Sequence, residues 1–174
     1  MKPGEPTAGK YSDPVVLVEY DPAWPSLFEE LAEPLRGATL PLGARVEHVG
    51  STAVAGLAAK PIIDIDVVVP SPDPSPEVIT RLDGIGYRHI GDQGIPGREA
   101  FAWPPGKPRH HLYLVVAGSE PYLNHICFRD HLRSHPEDAA AYAELKRLLA
   151  RAHRDDRAAY TEGKTAFIGL TLGA

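Results

Sequence analysis

Two aspartates separated by a single residue, Asp64 and Asp66, interrupt an otherwise apolar run, Pro61-Ile-Ile-Asp-Ile-Asp-Val-Val-Val69. A run of this kind reads as a buried strand. Successive strand side chains alternate faces, so both carboxylates share one face while Ile63, Ile65 and Val67 take the other. Their attachment points then lie about 6.5–7 Å apart, within reach of one divalent cation. Burying two carboxylates without a counter-charge is expensive, so the pair calls for a metal, a basic partner or an active-site cleft. The plainer alternative is a structural ion pair with Arg or Lys. A cation bound here would be hard and oxygen-seeking, Mg²⁺ or Mn²⁺.

Ahead of this run stands Arg45-Val-Glu-His-Val-Gly-Ser-Thr52, a strand ending in a glycine turn. Glycine allows close approach of a ligand to the backbone, and the amides of Gly50, Ser51 and Thr52 could cradle a phosphate. Metal-bound carboxylates beside such a turn suit a triphosphate. His111 opens a later strand and shares its more polar face with Tyr113, so it is preferred over His110 as a third metal ligand. Lys60, Arg129 and Lys164 are the cations placed to neutralise phosphate charge: Lys60 precedes the Asp strand, and the other two sit near apolar seams. Arg133 and Tyr160 share helix faces with Arg129 and Lys164. Lys146, Arg147, Arg151, Arg154 and Arg157 read as exposed helix charges and His48 as a core, edge or cleft residue. Cys127 falls on an apolar helical stripe and reads as core.

The elements that must position these groups follow from pattern. Residues 1–14 read as a flexible arm and 15–174 as one domain, with a short strand at Val15–Val18. Asp21-Pro22 signals a helix start, with Leu27, Phe28, Leu31 and Leu35 inward and Pro34 kinking or ending the helix. Pro70 to Pro76 is a rigid loop, Glu77–Leu82 a helix, and Tyr87–Ile90 with Arg98–Trp103 a hairpin. His110–Val116 is a strand. Helices follow: one carrying Leu123, Ile126, Cys127 and Leu132, a second over Ala139–His153 with Tyr142, Leu145, Leu148 and Leu149 inward, and a third from Asp155 through Leu172. The fold class is α+β, a mixed sheet with helices packed on one side and a helical C-terminal segment.

At 174 residues the chain suffices for one domain. Its formal charge of −5 argues against a general nucleic-acid-binding surface. A single cysteine excludes an intramolecular disulfide, and with no leader-like or membrane-length apolar run a cytoplasmic protein is expected.

Several blocks taken in order are similar to the GrpB family: Tyr20-Asp-Pro-Ala-Trp-Pro25, Glu47-His-Val-Gly-Ser-Thr52, Gly56-Leu-Ala-Ala-Lys-Pro-Ile-Ile-Asp-Ile-Asp66, His111-Leu-Tyr113, Phe128-Arg-Asp-His-Leu-Arg-Ser-His-Pro136 and Tyr160-Thr-Glu-Gly-Lys164. That family also occurs fused to dephospho-CoA kinase. The resemblance implies a nucleotidyltransferase-like fold of the polymerase-β superfamily, whose Gly-Ser turn and Asp-x-Asp strand correspond to Gly50-Ser51 and Asp64-x-Asp66. The superfamily's third carboxylate has no counterpart in His110–Val116. Activity is expected as metal-dependent transfer of a nucleotidyl group from a nucleoside triphosphate to a small acceptor. Asp64 and Asp66 would be the catalytic carboxylates, Asp64, Asp66 and His111 the metal ligands, and Gly50, Ser51, Thr52, Lys60, Arg129 and Lys164 the phosphate contacts. The alternatives are a catalytically degenerate module that binds a nucleotide or CoA-like ligand or assists folding, and a zinc hydrolase using His110, His111, Asp64 and Asp66.

Overall fold

The computed structural model describes residues 14–73 and 75–173, so all but Pro14 of the expected arm lies outside the described residues. Five strands form one sheet: β1 (Arg45–Val49), β2 (Ile63–Val69), β3 (Arg88–Gly91), β4 (Arg98–Ala102) and β5 (His110–Val116), in the order β1-β2-β5-β4-β3. Only β2 and β5 run parallel. Both lie inside the sheet, which is why they carry its most continuous apolar runs. The expected strand at Val15–Val18 is reduced to one bridge between Val18 and Ala59.

Helix α1 (Trp24–Thr39) buries Trp24, Phe28, Leu31, Ala32 and Leu35, the stripe that its spacing demands. It begins later than expected. The Asp21 carboxylate accepts from the Ala23 amide at 2.8 Å in a turn ahead of the helix, and Pro25 takes the first helical turn instead. Pro34 neither ends the helix nor sits inward; it lies on the exposed side, where water can satisfy the carbonyl that loses its amide partner. Helix α2 (Ser75–Gly84) starts two residues before the expected Glu77, with Pro76 in a first turn that needs no donor. Together α1 and α2 cover one face of the sheet, closing a core around Ile63, Ile65, Val67, Val69, Leu112 and Leu114.

The remaining helices, α3 (Glu120–Ser134), α4 (Pro136–Ala152), α5 (Arg157–Glu162) and α6 (Thr165–Leu172), belong to the opposite face. Helices therefore stand on both sides of the sheet, a wider placement than the one-sided packing expected within this fold class. The single third helix expected over 155–172 is two helices, broken at Gly163, where a Leu149 methyl of α4 leaves no room for a side chain. A smaller apolar cluster of Val54, Leu57, Leu132, Tyr142 and Ala143 ties this layer to the glycine turn. Cys127, Leu123 and Leu148, expected inward, are exposed. Lys146, expected outward, is buried.

Candidate functional site

Between the second face of the sheet and α3–α6 lies a cavity of about 550 Å³, lined among others by Gly50, Ser51, Thr52, Lys60, Asp64, His111 and Lys164. The β1–β2 pairing creates its floor. Val49 lies opposite Asp64, so the chain leaving β1 turns directly over that carboxylate. Gly50 adopts φ 73° and ψ −174°, a conformation essentially restricted to glycine. A Cβ here would collide with the Asp64 Oδ2. The glycine is thus required both by backbone conformation and by the acid packed against it. Ser51–Ala53 forms a short 3-10 turn whose Ala53 carbonyl accepts two bonds from Arg133, at 3.0 and 2.8 Å.

The two aspartates share a face, as alternation requires, but they do not share a ligand. Asp64 Oδ1 meets Nδ1 of His111 at 2.6 Å, and Asp66 Oδ2 meets Nδ1 of His125 at 2.8 Å. Burial pushes the Asp64 carboxyl up, but the His111 bond and the charges of His111, Lys60 and His125 outweigh it and hold the group below its usual range. Asp66 is fully buried, and burial raises its carboxyl above the usual range against the pull of His125. His125 is correspondingly raised: burial opposes its charge, and the Asp66 bond overcomes that. Asp66 does not border the cavity, and its Oδ1 is buried without a hydrogen-bond partner.

Among the described residues no three His, Cys, Asp or Glu side chains are grouped to hold an ion. Of the three expected ligands, Asp64 and His111 are bonded to each other at the cavity, while Asp66, away from it, is bonded to His125. Opposite Asp66 in register on β5 stands Tyr113, not a carboxylate. His110 turns into the core, bonded to the Tyr87 hydroxyl at 2.8 Å and the Pro108 carbonyl at 2.6 Å, which removes it from any zinc site. His48 lies behind the turn, stacked on Phe28 and bonded to the Thr52 hydroxyl at 2.9 Å; burial pulls it down to about 4.

One end of the cavity is cationic. The Lys146 Nζ donates to Ser51 Oγ at 3.0 Å and to the Ala58 carbonyl at 2.5 Å, and stands over the Tyr142 ring. Burial, then the neighbouring cations, lower it to about 7. Lys60 and Lys164 both flank the Tyr160 ring, at 5.6 and 4.7 Å from its centroid. Burial lowers each, Lys60 to about 8. Arg129 borders the cavity, but its guanidinium is engaged by Glu47 at 3.1 Å, Asp130 at 2.8 Å and the His48 carbonyl at 2.9 Å. It braces α3 against β1 rather than offering a free charge. Sequence reasoning missed three residues here. Lys146 and Arg157, read as exposed helix charges, line the cavity, and His125 was given no role. The inward position of Lys146, four after buried Tyr142 on α4, was the available signal.

The chain is similar to known proteins in sequence and in overall fold. The family described as GrpB protein matches residues 14–173. A UPF0157 protein of Pseudomonas aeruginosa is 40% identical over 92% of this chain, and the UPF0157 protein YqkA of Bacillus subtilis 35% identical over 88%. The matched segments span 67% and 45% of those two proteins. A dephospho-CoA kinase of Mycolicibacterium paratuberculosis is 30% identical over 77% of the chain, the match covering 39% of that protein. The crystal structure of GrpB from Enterococcus faecalis superposes with a TM-score of 0.78 at 37% identity, covering 90% of this chain and 94% of that one. A Cid1 poly(U) polymerase mutant bound to MgATP superposes with a TM-score of 0.51 at 11% identity, over 74% of this chain and 45% of that one. That likeness shows the fold alone, which is nucleotidyltransferase-like. Among the described residues no helix is long and apolar enough to cross a membrane.

Proposed function

The chain belongs to the GrpB family, and on that premise we propose that its cavity binds a nucleoside triphosphate by the polyphosphate and passes the nucleotidyl group to a small acceptor. Lys146 carries this reading. Its ammonium is buried, tied to the Ser51 hydroxyl of the glycine turn, and bonded to no carboxylate among the described residues. With Lys60 and Lys164 beside it, this end of the cavity concentrates positive charge out of water, an arrangement that a polyphosphate would satisfy.

In the transfer, an acceptor hydroxyl oxygen attacks the α-phosphorus, and the bond from that phosphorus to the oxygen bridging to the β-phosphate breaks. Pyrophosphate leaves, and the hydroxyl proton passes to water at the cavity mouth. Negative charge grows on the departing pyrophosphate, where Lys60, Lys146 and Lys164 would stand, so this chain contributes positioning and electrostatics rather than a covalent nucleophile. Gly50, Ser51 and Thr52 supply the turn against which the phosphates rest. Asp64, the carboxylate open to the cavity, is the group that would meet a Mg²⁺ or Mn²⁺ ion arriving with the nucleotide, since such an ion takes most of its ligands from phosphates and water.

A second reading is binding without transfer, favoured by Asp66 being sealed behind His125 and by Tyr113 standing where a third carboxylate belongs. Calorimetry with each nucleoside triphosphate, paired with a pyrophosphate-release assay in Mg²⁺ or Mn²⁺ and a pool of small hydroxyl acceptors, separates the two. We expect binding that falls at least tenfold in Lys146→Met, together with pyrophosphate release. Binding without release in every combination leaves the second reading, and no binding of any nucleotide overturns both.

A further inference from the structure

The cavity has a second charged end that the polyphosphate leaves unused. Arg98 on β4 lines it, with its guanidinium carbon 4.4 Å from the centroid of the Tyr113 ring. The Arg98 Nε is buried without a hydrogen-bond partner, and among the described residues no carboxylate forms an ion pair with this side chain. Arg98 pairs in register with Val115, and Val115 with Val68. It therefore stands two strands across and four residues along from Asp64, a backbone separation of roughly 16 Å from standard strand spacings. A phosphate held by Lys146 at the glycine turn is not the group that Arg98 would hold.

The chemistry of this end is specific. A guanidinium held against an aromatic ring still presents N–H groups along its edge, and such an edge matches the two oxygens of a carboxylate or phosphate. The neighbouring cavity residues Ile90 and Ala100 are apolar and Gln93 is neutral; the buried Asp66 carboxylate attracts Arg98 through space but is hydrogen-bonded by His125 instead. Gln93, in the β3–β4 turn, has φ 52° and is the one non-glycine residue with positive φ among the described residues. A strained backbone bordering a cavity is where a ligand contact is expected.

We propose that this end is the acceptor subsite and that the acceptor carries an anionic group, a carboxylate or a phosphate monoester, gripped by Arg98. The word acceptor rests on the nucleotide reading; anion capture by Arg98 does not. The test is an NMR titration of the ¹⁵N-labelled full chain, following the Arg98 Nε–Hε resonance, which is assigned by its absence from Arg98→Lys. Glycerol 3-phosphate, lactate and glycerol are added separately, each with and without saturating ATP.

A saturable shift with one or both anions, absent with glycerol and retained under ATP, is the expected result, and the tighter anion names the acceptor class. Arg98→Gln should weaken that anion at least tenfold. A resonance unmoved by both anions, moved equally by glycerol, or silenced by ATP overturns the subsite. If Arg98→Gln does not fold, the titration of the unmodified chain decides alone. Failure of ATP to bind while Arg98 still responds to anions sinks the nucleotide reading and leaves the subsite; the reverse pattern sinks the subsite only.

Discussion

On one side of β2, Ile63, Ile65, Val67 and Val69 meet the apolar stripes of α1 and α2 with almost no solvent between them. On the other, Asp64 and Asp66 meet histidines, and Lys146 comes down from α4 onto a serine hydroxyl and a carbonyl. The same seven-residue strand thus presents a face where every neighbour is alike and a face where charges lie half out of water. The first arrangement is what stabilises a fold. The second opposes folding unless something binds, because a desolvated ammonium without an anion is unfavourable. Stability and ligand binding should therefore separate by face.

The largest expected effect tests the closed face. Leu35 on α1 is fully buried in the core, and Leu35→Ala should lower unfolding free energy by about 4 kcal/mol through lost transfer energy and the cavity left behind. Urea denaturation checks it. A loss below about 1 kcal/mol would mean that the α1 layer collapses onto the gap, and that the closed face is less tightly packed than its burial indicates.

Lys146→Met tests the open face, with the opposite sign. Folded Lys146 titrates at about 7 rather than at its ordinary 10.5. Between those values the unfolded chain holds more protons than the folded one, so stability rises with pH through that window. Below pH 7 both states are protonated and the full penalty of the buried ammonium is present. Methionine removes the penalty but leaves Ser51 and Ala58 without their donor. A net gain of about 2 kcal/mol is expected below pH 7, shrinking as pH rises and turning into a net loss before pH 10.5, where the charge penalty is gone and only the two lost bonds remain. Paired urea titrations of parent and variant across pH measure it. A variant less stable than the parent at low pH would show that Lys146 holds the fold together rather than waiting for an anion.

The closed face was legible in the sequence because its signal is periodic. The Phe28, Leu31, Leu35 spacing and the Ile63, Ile65, Val67 alternation each fix a face without reference to any partner. Asp64, Gly50 and His111 were legible for a related reason, since each breaks a pattern or ends a strand. What could not be read was pairing. Nothing local to Asp66 says that His125, 59 positions away on another element, will take its oxygen. Nor does Lys146 differ in kind from Arg147, which points outward to Glu19 and Glu144. Helix phase alone distinguishes them, and that phase was blurred by the exposed Leu148. Nor does anything local say that Gly163, between α5 and α6, lies against Leu149 of α4.

The smallest expected effect asks whether burial, not charge, is what makes Lys146 matter. Arg36 lies on the outer side of α1 and bonds Glu29 at 2.6 and 3.3 Å, a well-formed pair by geometry. Its hydrogen bond holds the Glu29 carboxyl below the usual range, against the opposing effect of burial. Yet the two side chains are 42% and 61% exposed, so water and salt screen most of that attraction. Arg36→Gln should therefore change stability by no more than about 0.5 kcal/mol, and by less in high salt. Denaturation at low and high ionic strength measures both numbers. A salt-insensitive loss above about 1 kcal/mol would show that the guanidinium acts through its packing over Phe28, 5.6 Å from the ring centroid. In that case the outer layer of α1 belongs to the closed face, and the boundary between the two regimes lies further out than the burial of side chains suggests.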